Sequence, residues 1–115
     1  MPHVVIDFSA GLEDTADMKQ MCIDIRDALT ADASIPAPKN IRVRARAHDY
    51  FATGFDDQSF AHADFHMLIG RDDETKTHMC ALVLNVMEKH LPHAASLSVY
   101  PYDIAKNGSA KRMKE

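Results

Sequence analysis

The sequence predicts a two-layer α/β (α+β) domain in which four strands form one sheet and two helices cover one of its faces. Three observations carry that reading. Apolar residues alternate in steps of two in four short runs. Two longer runs instead place apolar residues three or four apart. The order is strand, helix, strand, and then the same again. At 115 residues the chain has room for one domain, read as residues 1–115 with pseudo-repeats at roughly 2–48 and 60–101.

The first run, His3-Val-Val-Ile-Asp-Phe8, sets Val4, Ile6 and Phe8 on one side. Ser9-Ala-Gly11 turns the chain, and Glu13, Asp14 and Asp17 suit the positive first turn of a helix. Met18, Met21, Cys22, Ile25, Ala28 and Leu29 then make one apolar stripe. Residues 30–39, with Pro36 and Pro38, read as a loop. Asn40 to His48 is the cleanest alternation, with Ile41, Val43, Ala45 and Ala47 set against Arg42, Arg44, Arg46 and His48.

The second copy begins after a connecting segment at residues 49–59. Ala61 to Ile69 alternates, Gly70-Arg71 turns, and Asp72, Asp73 and Glu74 open a helix with the stripe Met79, Leu82, Val83, Val86, Met87 and Leu91. Pro92 stops it, and Ala95 to Tyr100 is the fourth strand. A shift of 58 positions lays Asp14 on Asp72 and Met21-Cys22 on Met79-Cys80, which reads as an internal duplication. A helical crossover makes the strands of each unit parallel. The residues after Tyr102 read as a partly ordered basic extension.

A formal charge of −4 excludes the basic footprint of general nucleic-acid binding. No apolar run approaches the roughly 20 residues of a membrane span, and the opening residues lack a signal-peptide pattern. Cys22 and Cys80 read as reduced core thiols, so the expected location is cytoplasmic. The sheet face left uncovered carries His3, Asp7, Arg42, Arg44, Arg46, His48, His62, Asp64, His66, Ser96 and Ser98. Parallel strands are usually covered on both sides, so this face predicts a homo-oligomer with inward-facing sheets, its polar groups pairing between subunits.

Two features point to chemistry. Pro2, directly after Met1, is acceptable as a first strand residue. If Met1 is removed, it also offers a free secondary amine. Arg71, straight after Gly70, lies at the carboxyl end of a strand, where α/β sheets bind ligands. Guanidinium groups there would bind carboxylates through two hydrogen bonds at once, although most strand arginines are surface charges.

Pro2 leading a strand, the doubled unit, Asn40-Ile-Arg-Val43 and Ile69-Gly-Arg-Asp-Asp-Glu74 together resemble the tautomerase superfamily. Pro2-His3, Ile41-Arg42, Phe60-Ala-His62 and Arg71 resemble its 5-carboxymethyl-2-hydroxymuconate Δ-isomerase branch. The segment 49–59 has no such likeness. The resemblance implies a homotrimer with a tautomerase/MIF-like fold and no metal or organic cofactor. It also implies Pro2 as general base and Arg42 and Arg71 as carboxylate or dienolate ligands. The substrate would be an unsaturated dicarboxylate from bacterial breakdown of aromatic compounds. An α-amino group titrates at about 7.7–8.0, and burial beside guanidinium charge disfavours its cation.

Three rival readings follow from the same residues. His62, Asp64 and His66 share a strand face and have metal-ligand chemistry, but alternate residues on a flat strand converge poorly on one ion. A ferredoxin-like oligomeric ligand-binding module without catalysis is the second. The third keeps the proline and adds Asp7 or Asp64 as a water-activating acid, giving a hydratase or dehalogenase.

Overall fold

The computed structural model describes residues 2–35 and 37–114. The expectations that fall on Met1 and Pro36 lie outside them.

Alternation becomes strand where the sequence placed it. The elements are β1 (His3–Ser9), a 3-10 turn (Leu12–Asp14), α1 (Met18–Thr30), a second 3-10 turn (Pro38–Asn40), β2 (Arg42–His48), β3 (Phe60–Leu68), α2 (Asp73–His90) and β4 (Ser96–Ile104). The sheet order is β2-β1-β3-β4. Both outer pairs are parallel, as crossovers through a helix require, and the central β1/β3 pair is antiparallel. The result is a mixed four-stranded sheet with the two helices on one face, an α+β two-layer fold.

Both helices start at an aspartate. The Asp17 carboxylate accepts the Gln20 N–H at 3.0 Å, and the Asp72 carboxylate accepts the Thr75 N–H at 2.9 Å. Each satisfies a donor that the first helical turn leaves without a partner. Glu13 and Asp14, expected in the first turn of α1, belong instead to the preceding 3-10 turn, where Glu13 accepts the Gly11 N–H. The structural counterpart of Asp72 is therefore Asp17 and not Asp14. The stripes do correspond at 58 positions, Met21, Ile25 and Leu29 matching Met79, Val83 and Met87, all buried. The turn glycines Gly11 and Gly70, both at positive φ, are 59 apart.

Those six stripe residues meet Val4, Ile6, Phe65 and Met67, each fully buried, in one apolar layer. β2 and β4 are edges, so Val43, Ala45, Leu97 and Val99 are only partly covered. β4 runs four residues beyond the expected Tyr100, through Pro101 to Ile104, because an edge strand tolerates a residue without an N–H. Cys22 and Cys80 are half-buried rather than core. They line two grooves, one between α1 and β2 and one between α2 and β4, and burial pushes both thiols up in pKa. Among the described residues no helix is long and apolar enough to cross a membrane.

Candidate active site

The sheet brings the three singled-out residues to one end. Pro2 is buried and immediately precedes β1, and its carbonyl accepts the Arg42 N–H at 3.0 Å. His3 pairs with His66 in the antiparallel ladder, so Pro2 lies beside the last residues of β3. There the chain turns through Gly70 at φ +122, a conformation that strains any residue with a Cβ. Arg71 follows at once, next to the capping Asp72.

The side chains of the two arginines reach neutral acceptors. Arg42 Nη1 donates to the carbonyls of Lys39 and Ile41 at 3.0 Å each, and Nη2 approaches Met113 Sδ at 3.7 Å. Arg71 Nη1 donates to the Leu68 carbonyl at 3.1 Å. Among the described residues neither guanidinium has a carboxylate within 4.0 Å, whereas Arg26, Arg46 and Lys76 each have one. The contact that joins Pro2 to an arginine is main-chain; none of the side-chain hydrogen bonds of Arg42 or Arg71 involves Pro2.

The uncovered face is polar as expected, and several of its groups pair within the chain. Asp7 Oδ1 accepts from His48 Nε2 at 2.8 Å and from Arg46 Nη2 at 3.1 Å. Burial alone would raise the Asp7 carboxyl; the hydrogen bonds from His48 and Arg46 outweigh it and hold the pKa below the ordinary value. Arg44 Nη1 lies 3.2 Å from His3 Nδ1. A guanidinium only donates, so His3 accepts there as a neutral ring. Burial, then the charges of Arg44 and Arg42, lower its pKa from 6.5.

His62 bridges Ser98 Oγ and Asp64 Oδ1, both at 2.7 Å, which occupies both of its ring nitrogens. No group of three metal-ligating side chains is gathered among the described residues. Asp7 stands five residues along β1 from Pro2, roughly 16 Å at the strand rise. Asp64 pairs opposite Val5, roughly 10 Å away along the strand. Neither carboxylate shares the Pro2 end.

Sequence reasoning missed Tyr100 and Tyr102, which extend the polar face beyond Ser98. Tyr100 meets the His62 ring edge-on and Tyr102 stacks on His66. The alternation Ser96, Ser98, Tyr100, Tyr102 was visible, but the strand was read only as far as Tyr100. It also missed Lys111 and Met113, whose contacts with Asn40 and Arg42 follow from no periodicity.

Solved structures share this architecture. The 5-carboxymethyl-2-hydroxymuconate isomerase of Deinococcus radiodurans R1 is 19% identical and superposes with a TM-score of 0.84 over 98% of this chain and 90% of that one. A 5-carboxymethyl-2-hydroxymuconate delta-isomerase is 21% identical, with a TM-score of 0.83 over 98% and 89%. A fused 4-OT described as a symmetric trimer is 14% identical, with a TM-score of 0.73 over 95% and 90%. No curated protein matches the chain significantly. The paired β-α-β units on one mixed sheet thus define a tautomerase-type fold. The model of the 5-carboxymethyl-2-hydroxymuconate isomerase family matches residues 2–111, and the chain belongs to that family of isomerases.

Proposed function

We propose that this isomerase moves a proton between carbons of an unsaturated 2-hydroxy or 2-oxo dicarboxylic acid, such as 5-carboxymethyl-2-hydroxymuconate, with Pro2 as general base. The supporting observation is the meeting of Pro2, Arg42 and Arg71 at one sheet end, with both guanidinium groups donating to neutral carbonyls. A carboxylate entering there gains charge-assisted bonds that the carbonyls do not provide.

In this reading the cell removes Met1, and the Pro2 nitrogen carries a lone pair. It takes a proton from the carbon beside the carbonyl of the 2-oxo acid, or from the hydroxyl of the 2-hydroxy acid, leaving in either case a dienolate with its negative charge on oxygen. Arg42 and Arg71 stabilise that charge as it develops. The prolinium returns a proton at the far carbon, so atoms and electrons balance within the substrate. No metal or organic cofactor takes part.

The same reading makes the protein a cytoplasmic homotrimer serving aromatic-compound breakdown. One of its structural relatives is a trimer, and the uncovered sheet face is the surface that such an assembly would enclose.

Ketonisation of 2-hydroxymuconate, followed by ultraviolet absorbance, tests the base. Protein with Pro2 confirmed as first residue by intact mass should turn over. A chain carrying one extra alanine ahead of Pro2, whose nitrogen is then an amide, should not. Equal turnover by both would contradict Pro2 as the base, and turnover by neither would favour the non-catalytic ligand-binding module.

A further inference from the structure

The segment after β4 does not trail into solvent. β4 ends on the edge of the sheet farthest from β2, where the Ile104 carbonyl accepts the Ile69 N–H at 3.1 Å. Seven residues later, Lys111 Nζ donates to Asn40 Oδ1 at 2.8 Å, and Arg42 Nη2 approaches Met113 Sδ at 3.7 Å. Arg42 is the first residue of β2, on the opposite edge, and Asn40 ends the 3-10 turn just before it. The edges are about 14 Å apart, three strand spacings, and seven residues span at most about 25 Å. Gly108, at φ +92, supplies a bend on the way. The shortest path crosses the end of β3 and the start of β1, which is where Pro2 lies.

We infer that residues 105–114 form a strap across the Pro2 end of the sheet, and that Lys111 is a further carboxylate-binding residue for the substrate held there. The inference rests on the proposed function and names the reason for the basic tail. Like Arg42 and Arg71, Lys111 has no carboxylate partner among the described residues; its ammonium group is held by the neutral amide oxygen of Asn40. A substrate carboxylate offers a bond roughly twice as strong as a neutral acceptor, and the flexible lysine stem reaches it without moving the backbone. The strap is exposed from 105 to 114 and contributes nothing to the core, so it opens without disturbing the fold. Pro2, by contrast, is buried, so an element able to move over that end is what substrate entry requires.

Binding of two dienoic acids that cannot tautomerise tests this independently of catalysis. Muconate has a carboxylate at each end and sorbate has one. Titration calorimetry should show Lys111→Ala weakening muconate on the order of tenfold, the usual scale for one charge-assisted contact, and sorbate by less than about twofold. Lys111→Arg should restore muconate binding, and a chain ending at Ala105 should behave as Lys111→Ala with an unchanged Tm. Equal weakening of both acids, no weakening of either, or no muconate binding by the parent protein overturns the inference. Loss of proline dependence in the ketonisation assay, with muconate still following Lys111, would instead overturn the proton-transfer reading alone.

Discussion

The Arg42 N–H donates to the Pro2 carbonyl over 3.0 Å, the bond that starts the β1/β2 pairing. Through it the candidate base and the first candidate arginine are placed together by the backbone, whatever their side chains do. Arg71 reaches the same end from the other side of β1, by way of β3 and the Gly70 turn.

Arg42→Ala and Arg71→Ala should therefore lower kcat/KM for 2-hydroxymuconate by about a hundred- to a thousandfold each, the range for losing one contact to a developing oxyanion. Both guanidinium groups are outside the core, so thermal stability should change by no more than about 0.5 kcal/mol. A large loss of Tm with retained activity would mean that these arginines hold the fold instead.

Acid stability should depend on Asp32. The Ser34 hydroxyl and then His78 hold its carboxyl down to about 2 from an ordinary 3.8, and the Asp32–His78 contact at 2.8 Å ties the end of α1 to α2. A carboxyl with a lowered folded pKa contributes stability above its unfolded value and loses it as pH falls toward the folded value. The advantage of the parent over Asp32→Asn, read from urea midpoints, should be constant near neutrality. It should shrink between about pH 4 and pH 2.

Removal of Asp7 should disturb the uncovered face. Asp7→Ala leaves Arg46 and His48 without their shared acceptor, and such stranded partners typically destabilise. A small fall in Tm is expected, since the Arg46 and His48 side chains are partly solvated, together with weaker self-association in sedimentation velocity. An unchanged oligomer would place that face outside the interface.

Within the core, Met79→Ala should cost about 2–5 kcal/mol in denaturant unfolding, since Met79 is fully buried beneath the sheet. Ala81→Ser, on the rim of the groove beside β4, should stay within about 0.5 kcal/mol.

Much of this was legible in the sequence because the apolar side chains have only two periods to follow. Val4, Ile6 and Phe8 could face a core only as a strand, and Met79, Val83 and Met87 only as a helix. Boundaries were less legible where local chemistry competes with pattern. Acidic residues at 13, 14 and 17 all suit a helix start, and only the bond from Asp17 to Gln20 shows which one caps it. The fourth strand was read as ending at Tyr100, yet its edge position let β4 continue through Pro101 to Ile104. The placement of Pro2, Arg42 and Arg71 was legible because each stands next to the end of a strand. The return of Lys111 to Asn40 was not, because it depends on which sheet edge each strand occupies.

The decisive measurement is kcat for Pro2→Ala beside the parent, both with their first residue established by intact mass, in the ketonisation of 2-hydroxymuconate. If the ring nitrogen of Pro2 removes the proton, kcat should fall at least about a hundredfold, as for loss of a general base, with the folded state and muconate affinity retained. A variant turning over within about twofold of the parent would contradict a catalytic role for Pro2.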